Sequence, residues 1–122
     1  MAGCLRMKAY RYYSNEEREL VSSRVFTADN FFQRLFGLIL MRPLSGDESL
    51  LIKGCKSIHT MGMKYIIDVV FIDRGGKIVA IFELIRPWKL TPHICGSKGV
   101  IEFRAGIIRE KSLSVGDRII FE

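Results

Sequence analysis

With 122 residues, 48% hydrophobic and 26% charged, the chain is long enough for one packed core and too apolar for a disordered segment. No apolar run reaches the roughly 18–20 residues that cross a bilayer. The opening MAGCLRMKAYRYYS lacks the apolar segment of a signal peptide, so a cytoplasmic protein without membrane association is expected.

The net charge of +6 is unevenly placed. Asp and Glu are absent from Ser49 to Ile67 and again from Leu84 to Ile101. Those two stretches hold Lys53, Lys56, Lys64, Arg86, Lys89 and Lys98. Setting these six aside leaves 13 basic against 13 acidic residues, so they carry the whole excess. If the stretches meet in space, they form a basic patch that concentrates anions. Otherwise they are ordinary solvated surface. The three cysteines, Cys4, Cys55 and Cys95, are odd in number and include no CxxC, which argues against a disulfide framework.

In chain order, Met1 to Ser14 is basic and aromatic and reads as a first strand or a loose N-terminal arm. Ser14 to Glu17 has capping-box spacing but no helical stripe after it, so a turn is expected. Leu20 to Phe26 reads as a strand. Thr27 to Leu38 reads as a helix, with Thr27 as cap, Asp29 near the positive end, and Phe31/Leu35 and Phe32/Phe36 paired at i,i+4. Pro43 stops it. A turn at Gly46 to Glu48 precedes a short strand from Ser49 to Lys53.

The densest stretch is CKSIHTMGMKYIIDVVFID, Cys55 to Asp73. Its second part, Asp68 to Asp73, is apolar on both faces, as in a covered central strand. Arg74-Gly75-Gly76 turns the chain into a strand from Lys77 to Ile85. A loop of about ten residues, holding Pro87, Trp88, Pro92 and His93, is long by ordinary standards. Val100 to Arg104 is a strand, Ala105 to Leu113 a short helix, and Arg118 to Glu122 a last strand. Six or seven strands, tight turns and no βαβ alternation describe one mostly β domain over residues 1–122. A compact antiparallel β-sandwich or barrel with one or two short helices is expected.

Several motifs occur in a fixed order: RLFGL (34–38), SIHTMGM (57–63), DVVFID (68–73), Pro87-Trp88, Glu102 with Ala105-Gly106, and Gly116-Asp117. From about Val25 to the C-terminus this order resembles the domain of unknown function 192 family. The resemblance implies a compact, mostly β domain and brings no assigned activity. Relatives often carry Phe before the glycine and Pro two before the aspartate. Here Met61 and Ile66 stand there, which leaves position 61 without a ring to stack.

Among candidate sites, His59 alternates with Ile58, so a buried Ile58 turns His59 outward or into a cleft. It could bind an anion, hold a metal or shuttle a proton, or simply tie its ring to a carbonyl. Asp68 interrupts an apolar run, where a carboxylate needs charge partners or backbone donors. It is either a general base or a structural tie that holds the backbone amides of the Met61–Lys64 bend or a strand-borne arginine. Cys55, His59, His93 and Cys95 are the residues a tetrahedral metal would use, but neither pair has a usual zinc spacing, so no metal is expected. Met61 and Met63 are soft ligands that more often fill cores. Cys55 with His59 lacks a third group for nucleophilic catalysis. Gly75-Gly76 is too short for a phosphate loop, and no cofactor is expected.

Three functions follow from these residues. The first is a binding module with a basic cleft, in which His59, Thr60, Met63, Lys64, Arg86, Trp88 and Lys89 hold a small anionic molecule or an acidic protein. The second is a hydrolase-like or lyase-like enzyme with His59 and Asp68 as acid and base. The third is a nucleic-acid-binding accessory domain using the basic surface, with Tyr10-Arg11-Tyr12-Tyr13 supplying interleaved rings and charge.

Overall fold

The computed structural model describes residues 3–13, 17–29 and 43–122. Its centre is the strand read from the sequence as two-sided. All six residues of Ile67–Ile72 are buried, and alternation sends Ile67, Val69 and Phe71 to one face, Val70 and Ile72 to the other. At about 1.5–3 kcal/mol for each fully buried large apolar side chain, this strand anchors two cores at once.

The strands are β1 (Gly3–Tyr12), β2 (Arg18–Asp29), β3 (Glu48–Lys53), β4 (Ile67–Ile72), β5 (Ile78–Ile85), β6 (Gly99–Arg104) and β7 (Arg118–Phe121). One four-residue helix, α1 (Ile107–Glu110), follows β6. The strands form a single sheet in the order β5-β4-β6-β3-β2-β1-β7. The mostly β expectation holds, with two refinements. The sheet is mixed, because β2 and β3 pair in parallel while the other neighbours are antiparallel. It is also neither a two-sheet sandwich nor a closed barrel, but one sheet curled until its edge strands meet at a corner. There Lys77 bridges Arg118, and the Ile119 N–H reaches the Gly76 carbonyl at 2.8 Å. Gly76 makes this possible: its φ is +84°, and a Cβ there would lie 2.2 Å from the Ile119 carbonyl oxygen.

The N-terminal segment is a strand, held between β2 and β7. The helix expected from Thr27 is corrected at its start, where Thr27 to Asp29 continue β2 and pair with Leu51 to Lys53. Long-range pairing overrides the local capping signal. Residues 30–38 of that helix lie outside the described residues, as do 14–16 of the expected turn. The helix read over Ala105 to Leu113 shrinks to α1. Among the described residues, no helix is long and apolar enough to cross a membrane.

The inner face of the curl draws on all seven strands, including Ala9, Val25, Ile101, Phe103 and Ile119, and is capped by Ile107 and Ile108 of α1. The outer face carries Leu50, Ile52, Val69, Phe71 and Val100. It is covered by the irregular chain around Cys55, Ile58, Met63 and Ile94, so this layer sits where any outer-face site must form.

Candidate functional site

The two acid-free stretches meet. They run antiparallel side by side: Gly54 N–H bonds the Lys98 carbonyl at 2.9 Å, Ile94 N–H that of Lys56 at 2.8 Å, and Thr91 N–H that of Ile58 at 2.9 Å. Further along, Thr60 N–H reaches the Lys89 carbonyl at 2.8 Å, and Trp88 N–H that of Thr60 at 3.0 Å. His59 and Leu90 form an isolated bridge. The long loop predicted around Trp88 is therefore clamped along much of its length.

Irregular backbone leaves amide groups without a ladder, and hydroxyl side chains take them up. The Thr60 hydroxyl donates to the Arg86 carbonyl at 2.6 Å and accepts from the Lys89 N–H at 2.8 Å. Thr91 Oγ1 accepts from Ile58 N–H at 2.9 Å, and Ser97 Oγ donates to the Cys55 carbonyl at 2.8 Å. Thr60 is buried, so it positions the face rather than offering its hydroxyl to a ligand.

All six basic residues of the two stretches are exposed. Beside them, around the Thr60–Lys89 junction, large apolar side chains stand in solvent: Trp88 is 69% exposed, Leu90 70% and Met61 47%. Trp88 thus stands largely in solvent. Leu84, 57% exposed, sits where the second stretch leaves the sheet. Leu84 and Trp88 both have positive φ, 52° and 66°, an uncommon conformation for side-chain-bearing residues. Met63 is half-buried and packs on the outer core. His59 is also half-buried, and its Nδ1 is buried without a hydrogen-bond partner. The ring-to-carbonyl tie envisaged for it is not made at that atom.

Asp68 is fully buried and belongs to the inner face, between Ile67 and Val69 of the outer one. Oδ1 accepts the Leu84 N–H at 2.8 Å; Oδ2 accepts Gly106 N–H at 3.1 Å and Ile108 N–H at 2.9 Å. One carboxylate joins β4, the end of β5 and the start of α1: the role is a structural tie, but to Leu84, Gly106 and Ile108 and not to the Met61–Lys64 bend or an arginine. His59 lies in the layer over the opposite face. The sheet stands between the two residues, and it does not bring them together as an acid–base pair.

The metal candidates do not converge either. Cys55 is buried, with its Sγ donating to the Ser57 carbonyl at 2.9 Å, whereas His93 and Cys95 are exposed. Among the described residues, no group of three or more His, Cys, Asp or Glu side chains could hold an ion.

Among the described residues, three buried charges were not anticipated, at Arg11, Glu48 and Glu102. Arg11 lies inside, donating to Glu19 at 2.5 Å, the Ser112 carbonyl at 2.8 Å and Asp117 at 3.4 Å. Burial alone lowers its pKa, but the bond and charge of Glu19, with Tyr13 and Asp117, outweigh that and raise it. This removes Arg11 from the aromatic–basic arm that nucleic-acid binding would use, and Arg18 stacks over Tyr10 at 4.2 Å. Glu102 is buried on the outer face, in register with Leu50 and Val69. The available signal was the one that marked Asp68, an acid interrupting an apolar run.

Residues 13–121 match the model of the DUF192 family, described as an uncharacterized ACR. The chain belongs to this family. A UPF0127 protein of Pyrococcus furiosus is 32% identical to this DUF192 domain over 95 residues, covering 75% of this chain and 81% of the relative. One of Pyrococcus abyssi is 33% identical over 101 residues, covering 79% and 84%. A candidate transcription regulator of Sinorhizobium meliloti shares the fold with a TM-score of 0.78 at 20% identity, over 98% of this chain and 94% of that one. A protein of unknown function from Novosphingobium aromaticivorans gives 0.76 at 13% identity, over 93% and 83%. At such identity these two speak for the fold alone. The motifs that carried the resemblance now have places in the DUF192 domain. SIHTMGM lies within the first stretch, DVVFID is β4 and its exit, and Ala105-Gly106 brings an N–H to Asp68. RLFGL lies outside the described residues.

Proposed function

We propose that this domain is a binding module whose recognition face is the pair of acid-free stretches, and that it holds an acidic protein partner. One observation carries the reading: two segments distant in sequence are hydrogen-bonded into a single surface on which all six excess basic residues are exposed. A protein suits this surface better than an enclosed small anion, because Trp88 and Leu90 stand outward instead of walling a cavity. Exposed charges are screened over about 8 Å at physiological ionic strength, so Lys64, Arg86 and Lys89 act chiefly on partner choice and association rate.

The test compares one short leucine-containing peptide in two forms, Glu-rich and Lys-rich, by fluorescence anisotropy. The Glu-rich form binds more tightly. The combined variant Lys64→Glu, Arg86→Glu, Lys89→Glu weakens it by about tenfold or more, a loss of about 1.4 kcal/mol. Equal binding of the two forms, or an unaffected triple variant, would remove the charge basis of the reading.

A further inference from the structure

Resting on that reading, we infer that the acidic partner also carries apolar anchor side chains, of the leucine or aromatic kind, which pack against Trp88 and Leu84 on a face that is preorganised before binding. Among the described residues, three non-glycine residues have positive φ: Leu84, Trp88 and Ser112. The first two are large, apolar and exposed, at the ends of one short segment that leads from the end of β5 past Arg86 to the Thr60–Lys89 junction. A glycine would adopt either conformation without strain. Instead, one position holds a leucine and the other the chain's single tryptophan.

Neither side chain is taken into the core, and both stand largely in solvent. Each backbone is fixed by a buried residue. The Leu84 N–H is fixed by the buried Asp68 carboxylate, and the Trp88 N–H by the carbonyl of buried Thr60. The scaffold therefore holds strained backbone in order to present apolar surface, a pattern that belongs to recognition sites. Rigid aromatic anchors ringed by polar residues are the usual source of binding energy at protein interfaces. The flanking Arg86 and Lys89 select acidic flanks on whatever segment brings the anchor. Charge complementarity thus points to an acidic peptide segment rather than to a second copy of this net-basic chain.

The sole tryptophan makes the site its own reporter. Two Glu-rich peptides are titrated, identical except that serine replaces leucine in the second. The leucine peptide shifts Trp88 emission to the blue and saturates; the serine peptide binds about tenfold more weakly or worse, as expected for the loss of a buried leucine. With labelled leucine peptide, Trp88→Ala weakens binding by a similar factor, and Leu84→Gly weakens it while the circular dichroism of the fold is retained.

Equal affinity of the two acidic peptides, or binding without an emission shift, would overturn the anchor while leaving the charge reading intact. Failure of both peptides would overturn the two together. A blue shift that grows with protein concentration alone would assign the face to a second copy. A shift on anionic vesicles but not on peptide would assign it to a lipid surface. Either result would overturn the inference.

Discussion

The two faces of the curled sheet are finished in opposite ways. On the inner face, apolar side chains from every strand pack against each other, and the buried Asp68 is spent on three backbone N–H groups. On the outer face, the covering layer is held by hydroxyl and amide bonds, while large apolar groups point away from the protein. Polar atoms serve enclosure on one side and display on the other. Apolar surface that is rigidly displayed contributes little to stability, so its use has to be sought outside the fold.

That contrast can be broken experimentally. The largest effect is expected for Asp68→Ala, which strips the buried Ile108 N–H and the part-buried Leu84 and Gly106 N–H groups of their acceptor. At about 1–3 kcal/mol for each unsatisfied group, urea denaturation should show a loss of about 3 kcal/mol or more. A loss under about 1 kcal/mol would mean that α1 and the Leu84 bend hold themselves, and Asp68 would cease to be the inner tie.

Thr60→Val should cost less, about 1–3 kcal/mol, since it leaves the Arg86 carbonyl and Lys89 N–H without their hydroxyl. The sharper readout is local. Hydrogen exchange should quicken at Trp88 and Lys89 well before it quickens at Val70. A uniform increase would show that the outer layer opens only with the core, and the two faces would be one cooperative unit.

The smallest effect, and a control on both, is at Asp47 in the turn before β3. The Ser45 hydroxyl first, then the backbone N–H and the Ser23 hydroxyl, lower its carboxyl below the ordinary 3.8. A lowered folded pKa gives stability that is present above the unfolded value and lost as pH falls through the folded one. Melting temperature followed downward from about pH 5 should therefore fall slightly less steeply in Asp47→Asn than in the parent. An identical slope would show that these bonds persist in the unfolded chain or do not form.

Much of the sheet was legible because it obeys local rules. The two-sided run of β4, the glycine turn into β5 and the final strand each announce themselves within a few residues. What was not legible depends on partners far along the chain. Thr27 reads as a cap until β3 claims it for a parallel pair. Arg11 reads as part of a loose basic arm until β1 is placed between β2 and β7, where Glu19 and Asp117 close over it.

The candidate face was half visible. The absence of acids from two stretches is plain in the sequence, and so is the conditional that they must meet. That Thr60 and Thr91 would tie them could not be read, since a threonine hydroxyl carries no mark of which carbonyl it will reach. Nor could the positive φ of exposed Trp88 be read, which runs against the ordinary preference of the residue and stands beside its bond to the Thr60 carbonyl.

The place of β1 has a consequence in time. Its inner neighbour is β2, close in sequence, but its other edge waits for Arg118–Phe121, paired from Ala9↔Phe121 to Tyr12↔Arg118. The same late strand also makes the corner with Gly76. Closure thus joins segments separated by almost the whole chain, and the loop entropy of that search has to be overcome before its contacts can compensate. The domain belongs with slow, non-local folders, and until β7 docks, β1 presents an open edge to any neighbouring chain.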